Sequence, residues 1–146
     1  MGFSVSGSAA IIFLAAFMSV GVLYSAAYNG YEQVQTADDR HAERVLERRN
    51  TAIDVTNASY NGSGDEQLVV NVTNEGATSL SVNGTSLLVD GSFVARSAYA
   101  SWNVEGSTDT SLWLPGETYT IVMNQSSRPD RVKVVTPSGN TATEGV

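Results

Sequence analysis

Ala9–Tyr28 reads AAIIFLAAFMSVGVLYSAAY. At ~1.5 Å rise per residue, a helix of this length spans ~30 Å, the hydrocarbon thickness of a bilayer. No charged side chain occurs from Gly2 to Tyr31, and every Asp, Glu, Lys, Arg and His follows. Such segregation marks two environments, so the run is read as a retained transmembrane helix. A buried soluble helix would need a large α-rich domain around it, and the remaining sequence is β-like. Ser25 and Ala27 could form the small-residue pair of a signal-peptidase site. However, no Lys or Arg precedes the run, and it is too long for an ordinary signal-peptide core. Ala9, Ile12, Phe13, Phe17, Val20, Leu23 and Tyr28 are the expected lipid-embedded residues. Tyr24, Tyr28 and Tyr31 gather at one end, where interfacial aromatics sit. Ala15 with Ser19 and Gly21 with Ser25 are small pairs that let a second helix approach. The opening MGFSVS also fits an N-myristoylation pattern, which a membrane helix makes redundant.

Outward from that run, residues 1–30 form the lead and anchor and residues 31–51 a helical stalk. The stalk has no proline. Tyr31, Val34, Ala37, His41, Val45 and Ala52 recur at helical spacings, and Arg40 with Glu43 and Arg44 with Glu47 pair three apart. Its arginines, Arg40, Arg44, Arg48 and Arg49, argue by the positive-inside rule for a cytoplasmic location. The character of the following domain argues for the outside, and that orientation is adopted.

After Thr51 the period becomes two. Ile53 and Val55 alternate with Asp54 and Thr56, and Leu68, Val70 and Val72 with Val69, Asn71 and Thr73. Asn83-Gly84, flanked by TSLSV and TSLLVD, predicts a hairpin. Further runs are Ser92–Val104, Thr118–Met123 and Arg131–Thr136, separated by turn signals at Asn61–Gly64, Asn74–Gly76, Asp90-Gly91, Pro115-Gly116 and Pro137–Gly139. About seven short strands predict an immunoglobulin-like β-sandwich over 52–138, with a disordered tail at 139–146. The fold class is thus mainly β with one long N-terminal α-helix. The expected core is Ile53, Val55, Leu68, Val70, Val72, Leu80, Leu87, Val89, Trp113, Tyr119, Ile121, Val132 and Val134. Tyr99 and Trp102 either complete it or form a partner surface.

The net charge of −7 disfavours nucleic acid. Lys133 is the only lysine, and acid excess with so little lysine resembles a halophile's surface. Cysteine is absent, so neither disulfide nor thiol chemistry is available. The single histidine, His41, lies on the stalk. Asp65 and Glu66 are neighbours in a turn, which points their carboxylates apart. No phosphate-binding glycine loop precedes a helix. No catalytic residue, cofactor or metal site is therefore expected. Sequons at Asn57, Asn61, Asn71, Asn83 and Asn124 are candidate glycosylation sites and favour an extracytoplasmic domain.

The lead and anchor MGFSVSGSAAIIFLAAFMSVGVLYSAAYNGYEQV, with VTNEGATSL, LLVDG, WLPGETY and RVKVVTPSGN downstream, resemble the F-type accessory proteins of the archaellum (archaeal flagella protein F, the FlaF family) of haloarchaea. The resemblance implies an anchor in the cytoplasmic membrane and a β-sandwich in the pseudoperiplasm. It further implies binding to the S-layer protein, action with the G-type archaellum accessory protein, and a role as stator against which the filament turns. Partners so implied are the S-layer protein, the G-type protein and membrane lipid, in a homo- or hetero-oligomer. Two alternatives stand beside it. One is a pilin-like or archaellin-like filament subunit, which is made with a basic residue and glycine before its apolar helix; Gly2–Ser8 contains no Lys or Arg. The other is a membrane-tethered ligand-binding domain, which needs a deep polar pocket.

Overall fold

The computed structural model describes residues 2–64 and 66–146, without the side chains of 2–5. A single helix, α1 (Gly2–Asn50), carries the apolar run and the stalk without a break. Its apolar stretch is long enough to cross a membrane. The side chains of Phe13, Phe17 and Leu23 are uncovered by protein, an arrangement that water disfavours and lipid accepts. The hydroxyls of Ser19 and Ser25 donate to the carbonyls of Ala15 and Gly21 one turn earlier, so each serine is satisfied within its own helix. The chain divides into two compact units, one through Glu43 and one from Arg44 to Val146.

In the second unit, β1 (Ile53–Asn61), β2 (Gln67–Asn74), β8 (Thr118–Asn124) and β6 (Tyr99–Val104) form one antiparallel sheet in the order β1-β2-β8-β6. A second sheet, ordered β10-β9-β4-β5, comprises β10 (Thr141–Gly145), β9 (Arg131–Val135), β4 (Ser86–Val89) and β5 (Ser92–Val94). β3 (Leu80–Ser81) and β7 (Leu112–Trp113) make a short separate ribbon. Strict alternation sends Leu68, Val70 and Val72 inward on β2, opposite Met123, Ile121 and Tyr119 of β8. Leu87 and Val89 of β4 face inward with Val132 and Val134 of β9. Every expected core residue is buried except Ile53, which is half-buried against the cluster. Val82, Val104 and Met123 complete the core.

Two expectations are corrected. Asn83-Gly84 forms a turn but no hairpin: β3 pairs with β7, while β4 pairs with β5 and β9. A two-residue type I′ hairpin needs positive φ at both central residues, and neither Asn83 nor Gly84 has it. The turn therefore carries the chain from the β3–β7 ribbon to the second sheet. Asp90 and Gly91, at φ of 50° and 84°, supply that geometry and close the β4–β5 hairpin. The expected disordered tail is instead the edge strand β10, paired along β9 from Thr141↔Val135 to Gly145↔Arg131. The amide of Gly139 donates to Thr136 O, and that of Thr136 to Asn140 O, reversing the chain onto the open edge. Ala142 and Val146 then pack on the core.

Tyr119 lies in the core, with its ring 5.6 Å from Trp113 and edge-on to Trp102 at 6.2 Å. Burial pushes its hydroxyl up to about 12, with Arg96 pulling down and Tyr99 adding to the rise. Because the folded value exceeds the ordinary one of about 10, this contribution to stability is complete below pH about 10. It is lost as pH rises towards about 12. Denaturant unfolding at stepped pH should show that decline, and Tyr119→Phe should flatten it.

Candidate functional site

The densest set of specific contacts lies where α1 enters the sandwich, within the second unit. A helix ends with four carbonyls lacking intrahelical partners. Here the Arg48 and Asn50 carbonyls find partners in loops of the sandwich, and Glu47 O finds one in Thr51. The hydroxyl of Thr51 donates to Glu47 O at 2.8 Å. The Asn140 amide donates to Arg48 O at 3.1 Å and also to Thr51 O. The amide of Ala77 donates to Asn50 O at 2.8 Å, and those of Glu75 and Gly76 reach Ala52 O at 2.9 and 3.0 Å. The Arg48 guanidinium donates back to Ser138 O at 3.1 Å. Arg48 and Arg49 also place positive charge at the negative end of the helix dipole.

Behind this socket sits Asn74, which is wholly buried. Its amide donates to Thr78 O at 2.9 Å and Trp113 O at 3.2 Å, and its side-chain oxygen accepts from Gly76 N at 3.1 Å. Its backbone exchanges bonds with the turn at 114–117, through Glu117 O and Gly116 N. Pro115-Gly116, with Gly116 at φ 83°, makes this a type II turn closed by Glu117 N to Leu114 O. The Trp113 indole donates to Glu117 O at 2.7 Å. Three of the segments that carry the family resemblance, VTNEGATSL, WLPGETY and RVKVVTPSGN, thus converge on one place. They form the seat of the helix and its connection to the core.

Gly76 is required by close approach. A Cβ there would stand 2.5 Å from Asn50 O and 2.6 Å from Ala52 N. Both are backbone atoms and cannot swing away. Gly76→Ala is expected to destabilise the unit by about 1–3 kcal/mol through overpacking. A thermal melt compared with Gly145→Ala, whose added Cβ meets only an ordinary contact at 3.7 Å, measures it.

Tyr99 and Trp102 are both half-buried against the core. The Arg96 guanidinium covers the Trp102 ring at 4.1 Å and donates to Asn83 Oδ1 at 2.7 Å. Burial raises the Tyr99 hydroxyl, with Arg96 opposing. Ala9, Ile12, Phe13, Phe17, Val20, Leu23 and Tyr28 all lie exposed on α1. Among the sequon asparagines, Asn57, Asn61, Asn83 and Asn124 are exposed. Asn71 lies half-buried in the central strand β2, and its side-chain oxygen has no hydrogen-bond partner. Of the acidic pair, Glu66 is exposed and Asp65 lies outside the described residues. Among the described residues no cluster of three or more His, Cys, Asp or Glu could hold a metal. A shallow concavity lined by Glu32, Gln33, Thr36 and Arg40 is bounded by α1 alone.

A long helix with an apolar run, followed by an antiparallel β-sandwich, defines the architectural class of the chain. A family model described as archaeal-type flagellin matches residues 2–144, so the chain belongs to the archaeal-type flagellin family. No curated protein matches it. Among solved structures, it is similar to the archaellum periplasmic stator protein FlaG from Sulfolobus acidocaldarius. That match has 20% identity and a TM-score of 0.47, covering 66% of this chain and 99% of that one. It is also similar to a chain of the archaellum periplasmic stator protein complex FlaF and FlaG from the same organism, at 20% identity and a TM-score of 0.46. That match covers 64% of this chain and 87% of the other.

Proposed function

We propose that this chain is a non-catalytic structural component of the archaellum, held in the cytoplasmic membrane by α1. Its sandwich faces the pseudoperiplasm and binds the S-layer, so that the protein acts as a stator for archaellum-driven motility. The family match, which spans helix and sandwich together, carries the archaellum assignment. The socket supports the mechanical part. A stator must hand force from its fixed point to its membrane helix, and bonded loops rather than a slack linker receive the last helical turn. The G-type accessory protein is the proposed partner in the membrane, in a homo- or hetero-oligomer. The exposed sequons at Asn57, Asn61, Asn83 and Asn124 are the proposed glycan acceptors, with Asn71 the poorest because it is half-buried in a central strand. A halophilic source accords with the acid excess.

The description of the family as flagellin favours a second reading, in which the chain is itself a filament subunit. Deleting the gene separates the two. A stator predicts assembled filaments on cells that no longer swim. Loss of the filaments themselves would establish the subunit reading instead.

A further inference from the structure

We propose that the outer face of the β10-β9-β4-β5 sheet docks an acidic protein other than this chain. The proposal rests on the stator reading for the compartment in which that partner is met. Alternation turns Val132 and Val134 of β9 inward and leaves Arg131 and Lys133 exposed. Register then builds one row straight across the sheet, Thr143–Lys133–Leu88–Phe93, from the pairs of β10 with β9, β9 with β4, and β4 with β5. Side chains in such a row stand ~5 Å apart. Phe93 is 67% exposed and Leu88 half-buried beside it. Among the described residues neither the Arg131 nor the Lys133 side chain forms an ion pair, although the Asp90 carboxylate accepts the Arg131 main-chain amide at 3.0 Å, and β9 and β4 themselves place no carboxylate on this face.

In a chain of net charge −7 this is the anomaly. The other outer face presents Ser, Thr, Asn and Gln around Val69 and Val122 and is uncharged through its centre. An exposed aromatic is a residue type enriched at interface centres, and the cations on the same face steer carboxylate-rich surfaces to it. An anionic membrane fits less well, because such recognition relies on clusters of roughly four to eight basic residues. A second copy also fits less well. After β2 the acids of its sandwich are dispersed singly, as at Asp90, Glu105, Asp109 and Glu117, and two chains of this charge repel.

The test places the photo-crosslinker p-benzoylphenylalanine at Phe93 in the full-length chain, in cells of the source organism. Adducts are identified by mass spectrometry. The same probe at Val122 is the control, and Lys133→Glu and Lys133→Arg backgrounds test charge. The expected result is one acidic protein attached at position 93 and none at 122. Lys133→Glu should cut the yield at least tenfold, and Lys133→Arg should preserve it. No protein adduct, a lipid adduct, a basic partner, a second copy of this chain, or indifference to Lys133→Glu would each overturn the proposal. If the acidic adduct is the S-layer protein, both the surface and the stator reading stand. If it is a different acidic protein, the surface stands and S-layer binding through this face falls.

Discussion

Asn74→Ala is expected to cost the sandwich about 3–5 kcal/mol. The asparagine is wholly buried, and its side chain makes three bonds, to Thr78 O, Trp113 O and Gly76 N. Truncation leaves the Thr78 and Trp113 carbonyls without the bonds this amide supplies, while Gly76 N keeps its bond to Ala52 O. Each such group costs ~1–3 kcal/mol. A loss of this size is a large fraction of the ~5–15 kcal/mol that holds an ordinary domain folded. Asn74→Asp is the sharper variant. It keeps the shape and the acceptor but loses both donated bonds, and it buries a carboxylate facing the carbonyls of Thr78 and Trp113. It should be at least as damaging as alanine. Chemical unfolding of the full chain in detergent, followed by tryptophan fluorescence, measures both. If Asn74→Asp were as stable as the parent, the hub role assigned to this side chain would be wrong.

Trp113→Ala should remove a comparable ~3–5 kcal/mol by a different route. The indole is fully buried beside Tyr119, and it is among the largest fully buried side chains. Its loss leaves a cavity that the two flanking sheets, fixed by their own ladders, cannot close. It also removes the 2.7 Å bond to Glu117 O, which ties the 114–117 turn to the core. Trp113→Phe separates the two contributions, since it keeps most of the ring contact and loses the bond. It should cost about half as much. Because Asn74 bonds to the carbonyl of Trp113, the two positions are coupled, and the double variant should lose less than the sum of the single losses.

The parts of this molecule legible in the sequence are those set by simple periodicity. An uncharged run of membrane length can be read without any tertiary knowledge. So can the alternation of Leu68, Val70 and Val72, because burial on one face of a strand imposes it. Val82, Val104 and Met123 escaped notice because each sits at a strand end or beside a turn, where the alternating frame is short. The β10 strand escaped because TATEG has little apolar content. It is held by pairing to β9 and by a turn, both of which depend on a distant partner. Asn83-Gly84 misled because the dipeptide permits a type I′ turn without enforcing one.

The socket was hidden for a related reason. Asn74-Glu75-Gly76, Pro115-Gly116 and Pro137–Gly139 each read correctly as a turn. Only the fold shows that the first and third meet at the helix end and that the second is bonded to Asn74 behind it. Asn74 looked like a surface turn residue, yet it is buried, because its amide replaces backbone partners that no ladder can supply there. Tyr99 and Trp102 were visible as an aromatic concentration. Their half-buried place beneath Arg96 depends on the path between the sheets. Phe93 drew no attention, since a lone ring in a short strand is ordinary until its neighbours across the sheet are known.

The stator function requires the sandwich to lie outside the membrane, whereas the arginines of α1 argue for the cytoplasmic side. The chain has no cysteine, so a single Ser107→Cys, exposed beside a loop, reports on location alone. Intact cells treated with a membrane-impermeant maleimide should label it as fully as lysed cells do. Labelling that appears only after lysis would put the sandwich in the cytoplasm and contradict the stator account.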